Sequence, residues 1–226
     1  AAGSGALSGS AQAELGALAA GRGYHDIFLI TPGGEVVYSV RKDDDFGTNL
    51  ITGRHADSGL GRAFRQALDS PPGGVVAEDF APYAPGAGMP TAFLAMRIEG
   101  AGAGTPEGVL AIGIPADQFV FAREGLSYIV GADGRLRSDL GVTPENDALD
   151  RRVSLQPETI GSLEAPRLVT GTGILGNEVM LGAARLDFFG LDWIYIRETD
   201  SGEAFAFLDT IELILALTAV LFLAVA

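Results

Sequence analysis

The sequence has no cysteine, only two histidines and a single tryptophan in 226 residues. Without cysteine the chain can form no disulfide framework and no thiolate nucleophile. The two histidines, His25 and His55, are too few for a histidine metal site and leave little material for a Ser-His-Asp triad. We therefore expect no catalytic residues, no metal site and no cofactor.

Positive charge is also scarce. Lys and Arg number 15 against 29 Asp and Glu, and the formal net charge at pH 7 is −14. Because a surface this acidic repels a phosphate backbone, nucleic-acid binding is excluded as a function class. Hydrophobic residues make up 47% of the chain, which suffices for a packed core, and the length accommodates one large or two small domains.

The two ends of the chain differ from its middle. Residues 213–226 form an apolar run without a charge, and Thr218 is its one polar residue. A membrane-spanning helix needs about 20 apolar residues, whereas a surface helix shows a polar face. We interpret residues 201–226 as a helix that runs into a truncated transmembrane segment, with a buried helix of a soluble domain as the alternative. The alanine-rich residues 11–20 indicate that residues 1–22 are the end of a truncated N-terminal helix.

Strand and turn signals divide the middle of the chain into two units of similar order. In the first unit, apolar residues 27–30, the Thr-Pro-Gly-Gly turn at 31–34 and residues 35–40 predict a β-hairpin. Ser58 is a typical N-cap, and apolar residues at helical spacing follow it as far as Leu68. Three further strands are predicted at residues 75–80, 91–99 and 108–114.

The second unit repeats this order about 100 residues later, as an internal repeat would. Residues 126–130 and 135–139 flank a Gly-Ala-Asp-Gly turn and predict a second hairpin. Three more strands are predicted at residues 167–172, 178–187 and 191–197. Antiparallel strands with helices on one face give an α+β fold. We therefore predict two small α+β modules in tandem, at residues 23–119 and 120–200.

Several motifs in these units carry a resemblance to a known family. They are Gly-Tyr-His-Asp-Ile-Phe-Leu-Ile at 23–30, the stretch 37–50 ending in Asp-Phe-Gly-Thr-Asn-Leu, Asp-Phe-Ala-Pro-Tyr at 79–83, Ala-Phe-Leu-Ala at 92–95, and residues 128–139 ending in Leu-Arg-Ser-Asp. Together they cover most of residues 23–140. They resemble the double Cache ectodomains, which are tandem PAS-like sensors, of bacterial chemoreceptors and membrane-bound nucleotide cyclases.

The resemblance implies a membrane-distal module, a membrane-proximal module and then a transmembrane helix in the inner membrane. This portion would face the periplasm or the cell exterior, and the full-length receptor would be a homodimer packed through its N-terminal helices. The chain departs from the family in three places, and the first is that the long N-terminal helix of the family is mostly absent. Residues 119–125 lack the usual Gly-Leu-Gly-Glu-Thr-Gly-Glu run, and the arginine with a Trp-Tyr pair and later aspartate of amino-acid-binding members is not visible. An amino-acid ligand is therefore not expected.

In PAS-like modules the segment after the first hairpin rims the ligand cavity. Its mixed charge at residues 41–45 could hold a carboxylate or an amine, and a solvated turn is the alternative. Aromatic walls with a few polar groups are typical of small-molecule pockets, although these aromatics could equally be core residues. The predicted ligand-binding residues of this module are Tyr38, Arg41, Lys42, Asp45, Phe46, Asp79, Phe80, Tyr83 and Phe93.

The second module contains fewer candidate ligand-binding residues. Arg135 and Arg137 would share one face of a strand, and an arginine can grip a carboxylate in bidentate fashion. With Asp139 they form a second candidate ligand site. The alternative is a structural Arg-Asp pair that stabilises the proximal module.

Three functions fit these observations. The leading hypothesis is a non-catalytic sensor that binds a small molecule of unknown class in the distal module and signals through the C-terminal helix. The second is an interaction or dimerisation module that recognises a periplasmic protein and has no small ligand. The third is an envelope hydrolase, which the shortage of histidine disfavours.

Overall fold

The computed structural model describes residues 7–100, 105–119, 126–142, 146–153 and 167–202. These residues form an α+β fold with two antiparallel sheets, as the strand and helix signals predict. The helices and strands are α1 (Gly9–Arg22), β1 (Asp26–Ile30), β2 (Val36–Ser39), α2 (Gly59–Asp69), β3 (Val75–Pro82), β4 (Pro90–Glu99), β5 (Pro106–Pro115), β6 (Leu126–Val130), β7 (Arg167–Thr172), β8 (Glu178–Phe188) and β9 (Leu191–Asp200).

Helix α1 contains the predicted alanine-rich stretch. Ser8 caps its first turn by accepting a hydrogen bond from the backbone N–H of Ala11 at 3.3 Å. The helix ends at Gly23, which has a left-handed φ of 68° that favours glycine. Ala19 is the buried residue of this helix, so little of α1 is covered by the sheet that follows.

The first sheet has the strand order β2-β1-β5-β4-β3, and α2 covers one of its faces. Ser58 caps α2 by accepting from the N–H of Gly61 at 3.1 Å, which confirms the predicted N-cap. A Cβ on Gly61 would press into the backbone carbonyls of the preceding turn, so glycine permits this close approach. The core between helix and sheet consists of Phe28, Ile30, Val36, Leu50, Leu60, Ala63, Phe64, Ala67, Tyr83, Phe93, Ala95, Val109 and Ala111.

The second sheet has the order β6-β9-β8-β7, which places β9 in the interior beside β6 and β8. The strand predicted at residues 135–139 is wrong: this segment makes only isolated bridges, from Leu136 to Val130 and from Arg135 to Arg152. The physical reason is that the backbone N–H groups of this segment donate to two different segments of the chain. Leu136 N–H donates to the carbonyl of Arg151 at 3.1 Å, whereas Arg137 N–H donates to that of Ile129 at 2.8 Å.

Within the described part of the chain, no helix combines the length and the apolar character needed to cross a membrane. Residues 203–226, where the membrane helix is predicted, lie outside the described residues, as do residues 120–125 of the predicted linker and residues 1–6 of the N-terminal segment.

Replacing Phe64 with alanine tests the α2 packing. Phe64 is fully buried in the first core, so Phe64→Ala should lower the free energy of unfolding by about 3–5 kcal/mol through lost burial and the cavity left behind. Asp69→Ala, at an exposed position of the same helix, should change it by less than about 0.5 kcal/mol. Chemical denaturation followed by circular dichroism measures both, and equal effects would contradict this packing.

Candidate functional site

A cluster of acidic and aromatic side chains lies where β1 and β2 meet the segment at residues 40–46. Asp26 at the start of β1 is 1% exposed. Its carboxylate accepts from Ser39 Oγ at 2.6 Å and from the backbone N–H of Val40 at 2.7 Å and of Arg41 at 3.3 Å. Asp26 therefore fixes the path of the chain as it leaves β2 and turns into the acidic segment.

Asp45 is the deepest carboxylate of this segment, with 1% exposure. The Tyr83 hydroxyl donates to its Oδ2, whereas its Oδ1 is buried and has no hydrogen-bond partner among the described residues. Burial raises the pKa of Asp45, and the carboxylates of Asp26 and Asp43 raise it further, against the opposing effect of the Tyr83 hydrogen bond. Burial also raises the pKa of Tyr83, as does the negative charge of Asp45.

His25 borders the same cluster. Its ring meets Tyr83 edge-on with 5.8 Å between centroids, and its Nε2 lies 3.9 Å from Asp43 Oδ2. Burial, with a contribution from Arg41, lowers the pKa of His25, so its ring is neutral at neutral pH. Arg41 Nε pairs with Asp43 at 2.8 Å from a side chain that is 52% exposed. The buried part of the cluster is therefore rich in negative charge.

A second group of charged side chains lies around Asp44, beside this acidic cluster. Arg54 Nη2 contacts Asp44 Oδ1 at 2.5 Å on the surface. His55 Nε2 is 3.6 Å from Asp44 Oδ2, which is too long for a hydrogen bond, and it is buried without a hydrogen-bond partner among the described residues. His55 lies in a turn, and only 8% of it is exposed.

The other predicted residues of the first module separate into different surroundings. Tyr38 is buried toward α1, where its hydroxyl approaches the carbonyl of Gln12 at 3.5 Å. Lys42 lies over the ring of the exposed Phe46 at 5.9 Å from the centroid. Phe93 packs edge-on against Tyr83 at 4.9 Å in the core below α2. Of the predicted residues, the structure brings Asp45, Tyr83 and Phe93 into contact. Arg41 borders this group through its ion pair with Asp43.

Asp79 faces the second module. Arg137 Nε lies 3.0 and 2.9 Å from the two carboxylate oxygens of Asp79, and Arg137 Nη2 lies 2.9 Å from Oδ2. The indole N–H of Trp193 donates to Asp79 Oδ1 at 3.2 Å. Arg137 also pairs with Asp133 of its own module at 2.9 Å. Asp79 is thus one side of a contact between the two sheets.

An aromatic stack extends this contact. Phe80 and Phe188 both stack on Trp193, with ring centroids 5.8 and 4.8 Å apart respectively. The apolar cluster around them joins residues of both units: Phe80, Ala92, Ala116, Ile129, Ala148 and Trp193, with Phe119, Leu149, Phe188, Leu191 and Tyr195 packed against it. Trp193 lies in the range predicted for the proximal module, and the sequence pattern does not predict its contact with the first unit, although it is the single tryptophan of the chain.

The side chains of Arg135 and Asp139 do not join the side chain of Arg137. Arg135 Nη1 donates to the carbonyl of Leu149 at 2.5 Å, and Asp139 accepts from the N–H of Gly141 at 3.2 Å within its own turn. Elsewhere in the second unit, a shallow groove of about 260 Å³ lies on the β8–β9 hairpin, lined by Arg185, Asp187, Gly190 and Asp192. In the described ranges, no group of three or more His, Cys, Asp or Glu side chains is arranged to hold a metal ion.

Solved structures share this architecture. The ligand-binding domain of the Pseudomonas fluorescens chemoreceptor CtaA, in complex with L-leucine, superposes with a TM-score of 0.52 at 14% identity, covering 80% of this chain and 73% of that one. The same domain of the amino-acid chemoreceptor PctB of Pseudomonas aeruginosa PAO1, in complex with L-Arg, gives 0.55 at 16% identity, covering 88% and 81%. The chain has the Cache fold of these ligand-binding domains.

The Cache fold extends beyond chemoreceptors. The extracellular domain of the histidine kinase vpHK1S-Z8 matches with a TM-score of 0.53 at 11% identity, over 82% of this chain and 72% of that one. At these identities the likeness establishes the fold alone. No protein-family model and no curated protein sequence matches the chain.

The raised pKa of Asp45 predicts a pH dependence with a definite sign. The folded protein keeps this proton at pH values where the unfolded chain, with the ordinary pKa of 3.8, has lost it. The contribution of Asp45 to stability is therefore complete below that value and is lost as the pH rises through the folded pKa.

We expect the free energy of unfolding of the natural chain, minus that of Asp45→Asn, to fall as the pH rises through this window. Urea denaturation of both proteins at several pH values between about 4 and 8 measures the difference. A difference that grows with pH would show that the pKa of Asp45 is lowered instead.

Proposed function

We propose that this chain is the extracytoplasmic ligand-sensing domain of a transmembrane signalling receptor of the chemoreceptor or cyclase type, without catalytic activity. The observation that carries the proposal is the Cache-type fold, shared over 80% or more of the chain with ligand-binding domains of bacterial chemoreceptors. In such a receptor this domain faces the periplasm or the cell exterior and joins the membrane through its C-terminal helix. The intact receptor is a homodimer.

The ligand is a small molecule that binds in the distal module, residues 23–119. Support comes from the cluster of Asp45, Tyr83, His25 and Asp43, the place in this module where buried polar groups converge on an unpartnered oxygen. Its negative charge favours a ligand that brings a positive charge or hydrogen-bond donors. CtaA, PctB and the GABA-binding PctC are neighbours whose ligands carry an amino group.

A thermal-shift screen of the chain against amines, organic acids, purines and sugars tests the proposal. A compound present at a hundredfold excess over its Kd should raise the Tm by about 5 °C or more. Asp45→Asn and Tyr83→Phe should each weaken its binding about tenfold or more, because each removes a hydrogen-bonding group from the buried cluster. Isothermal titration of the natural chain and the variants gives the affinities.

Asp44→Asn is the matched control, since this neighbouring carboxylate is 61% exposed and its loss should leave the affinity within about twofold. A ligand whose affinity is unchanged in Asp45→Asn and Tyr83→Phe would place the binding site elsewhere. A broad library without a single stabilising compound would count against the sensor function and favour a module that recognises a periplasmic protein.

A further inference from the structure

We propose that Asp79, Arg137 and Trp193 form a clamp that couples the two modules mechanically. A change in the distal module would thereby reach β9 and the residues that follow it. As a signalling device the clamp rests on the proposed sensor function, but the coupling itself is a property of the described residues and can be measured without a ligand.

The clamp begins at an irregularity in β3. The register between β3 and β4 shifts between Glu78 and Ala81, which leaves Asp79 and Phe80 in a bulge. In a regular strand successive side chains point to opposite faces, whereas a bulge lets neighbours turn the same way. Asp79 accepts from Trp193 and Phe80 stacks on the same indole, so the bulge presents a polar and an apolar contact to one partner.

The ion pair between Arg137 and Asp79 fixes the orientation of the two groups through its charge and geometry. The Arg137 side chain is 6% exposed, and its guanidinium is held by Asp79, by Asp133 and by the carbonyl of Arg135 at 3.0 Å. A planar guanidinium that meets a carboxylate with two nitrogens fixes orientation as well as distance. The two carboxylates come from different modules, so Arg137 links them through one rigid group.

The turn of the second module is shaped to leave room for this guanidinium. A Cβ at Gly131 would clash with the guanidinium group of Arg137. Because that group is held by its three partners, it cannot swing aside without breaking them. Gly131→Ala is therefore a way to displace the clamp while keeping all of its charges.

In the second sheet the clamp ends on β9, which is an interior strand. Trp193 is 1% exposed on β9, which pairs with β6 on one side and β8 on the other. The ring of Phe188 on β8 backs the indole at 4.8 Å. Beyond Asp200 the chain continues into residues 201–226, for which the sequence predicts the membrane helix. A displacement of β3 would therefore move the strand that leads toward that segment.

The test uses Phe64→Ala as a perturbation confined to the core of the distal module. In the natural chain this variant should accelerate amide hydrogen exchange at least tenfold in β8 and β9 of the proximal module, because the clamp transmits the destabilisation. In Asp79→Asn and in Arg137→Lys the same perturbation should change that exchange less than twofold. Lysine keeps the charge but cannot form the bidentate contact.

Asp133→Asn is the matched control, because it removes the carboxylate charge that pairs with Arg137 within the proximal module and leaves the contact to Asp79. Transmission should persist in this background. The single tryptophan gives an independent readout of the clamp: the emission of Trp193 should shift in Asp79→Asn and Gly131→Ala but not in Asp133→Asn. This readout reports the local contact of Trp193. A general loss of stability would not shift the emission as long as the protein remains folded.

If Phe64→Ala has no effect on the proximal module of the natural chain, the modules are uncoupled and the inference is overturned. It is equally overturned if transmission survives in both Asp79→Asn and Arg137→Lys. If Asp79→Asn fails to fold, the effect of Phe64→Ala on amide exchange can be compared in Arg137→Lys and Gly131→Ala instead. A failed ligand screen leaves this experiment unaffected, so the sensor function and the clamp can fail separately.

Discussion

The contact between the two sheets centres on one ion pair, in which the buried guanidinium of Arg137 meets the partly exposed carboxylate of Asp79. A buried guanidinium is costly unless acceptors meet its donors. Asp133 and the carbonyl of Arg135 supply some of these acceptors from the second unit, and Asp79 supplies the one that comes from the first. The pair is directional and the aromatic stack on Trp193 is not, so the two contacts have different consequences. The stack buries apolar surface between the two sheets, whereas the ion pair is the contact on which the proposed coupling rests.

The first unit contains the opposite situation. Asp26 satisfies its buried charge with backbone and hydroxyl donors, but among the described residues Asp45 has a hydrogen-bond donor for only one of its oxygens. A carboxyl in this position lowers the stability of the folded protein when it is ionised, because burial and neighbouring carboxylates destabilise its ionised form. A protein tolerates such a group where a proton or a ligand supplies the missing interaction. This is the physical argument for proposing ligand recognition at Asp45.

Much of the architecture could be predicted from local patterns. The first hairpin, the capped helix α2 and the strands β3–β9 follow from alternation, apolar runs and turn residues, which act over a few residues. The predicted strand at residues 135–139 failed because its backbone hydrogen bonds are divided between Ile129 and Arg151. The site was harder to predict: Asp45 and Tyr83 do meet, whereas Asp79, selected for the same pocket, is paired with Arg137.

Residue composition and local pattern indicate the fold class, because the repeated strand order predicts two α+β modules. The lack of cysteine, the shortage of histidine and the acidity disfavour thiolate chemistry, histidine-based chemistry and nucleic-acid binding. The partner of each acidic residue depends instead on how distant segments pack against one another. Asp45 and Asp79 are both carboxylates beside aromatic residues in sequence, but one meets Tyr83 and the other meets Arg137 and Trp193. These partners lie 38, 58 and 114 positions away, a range at which no local periodicity carries information.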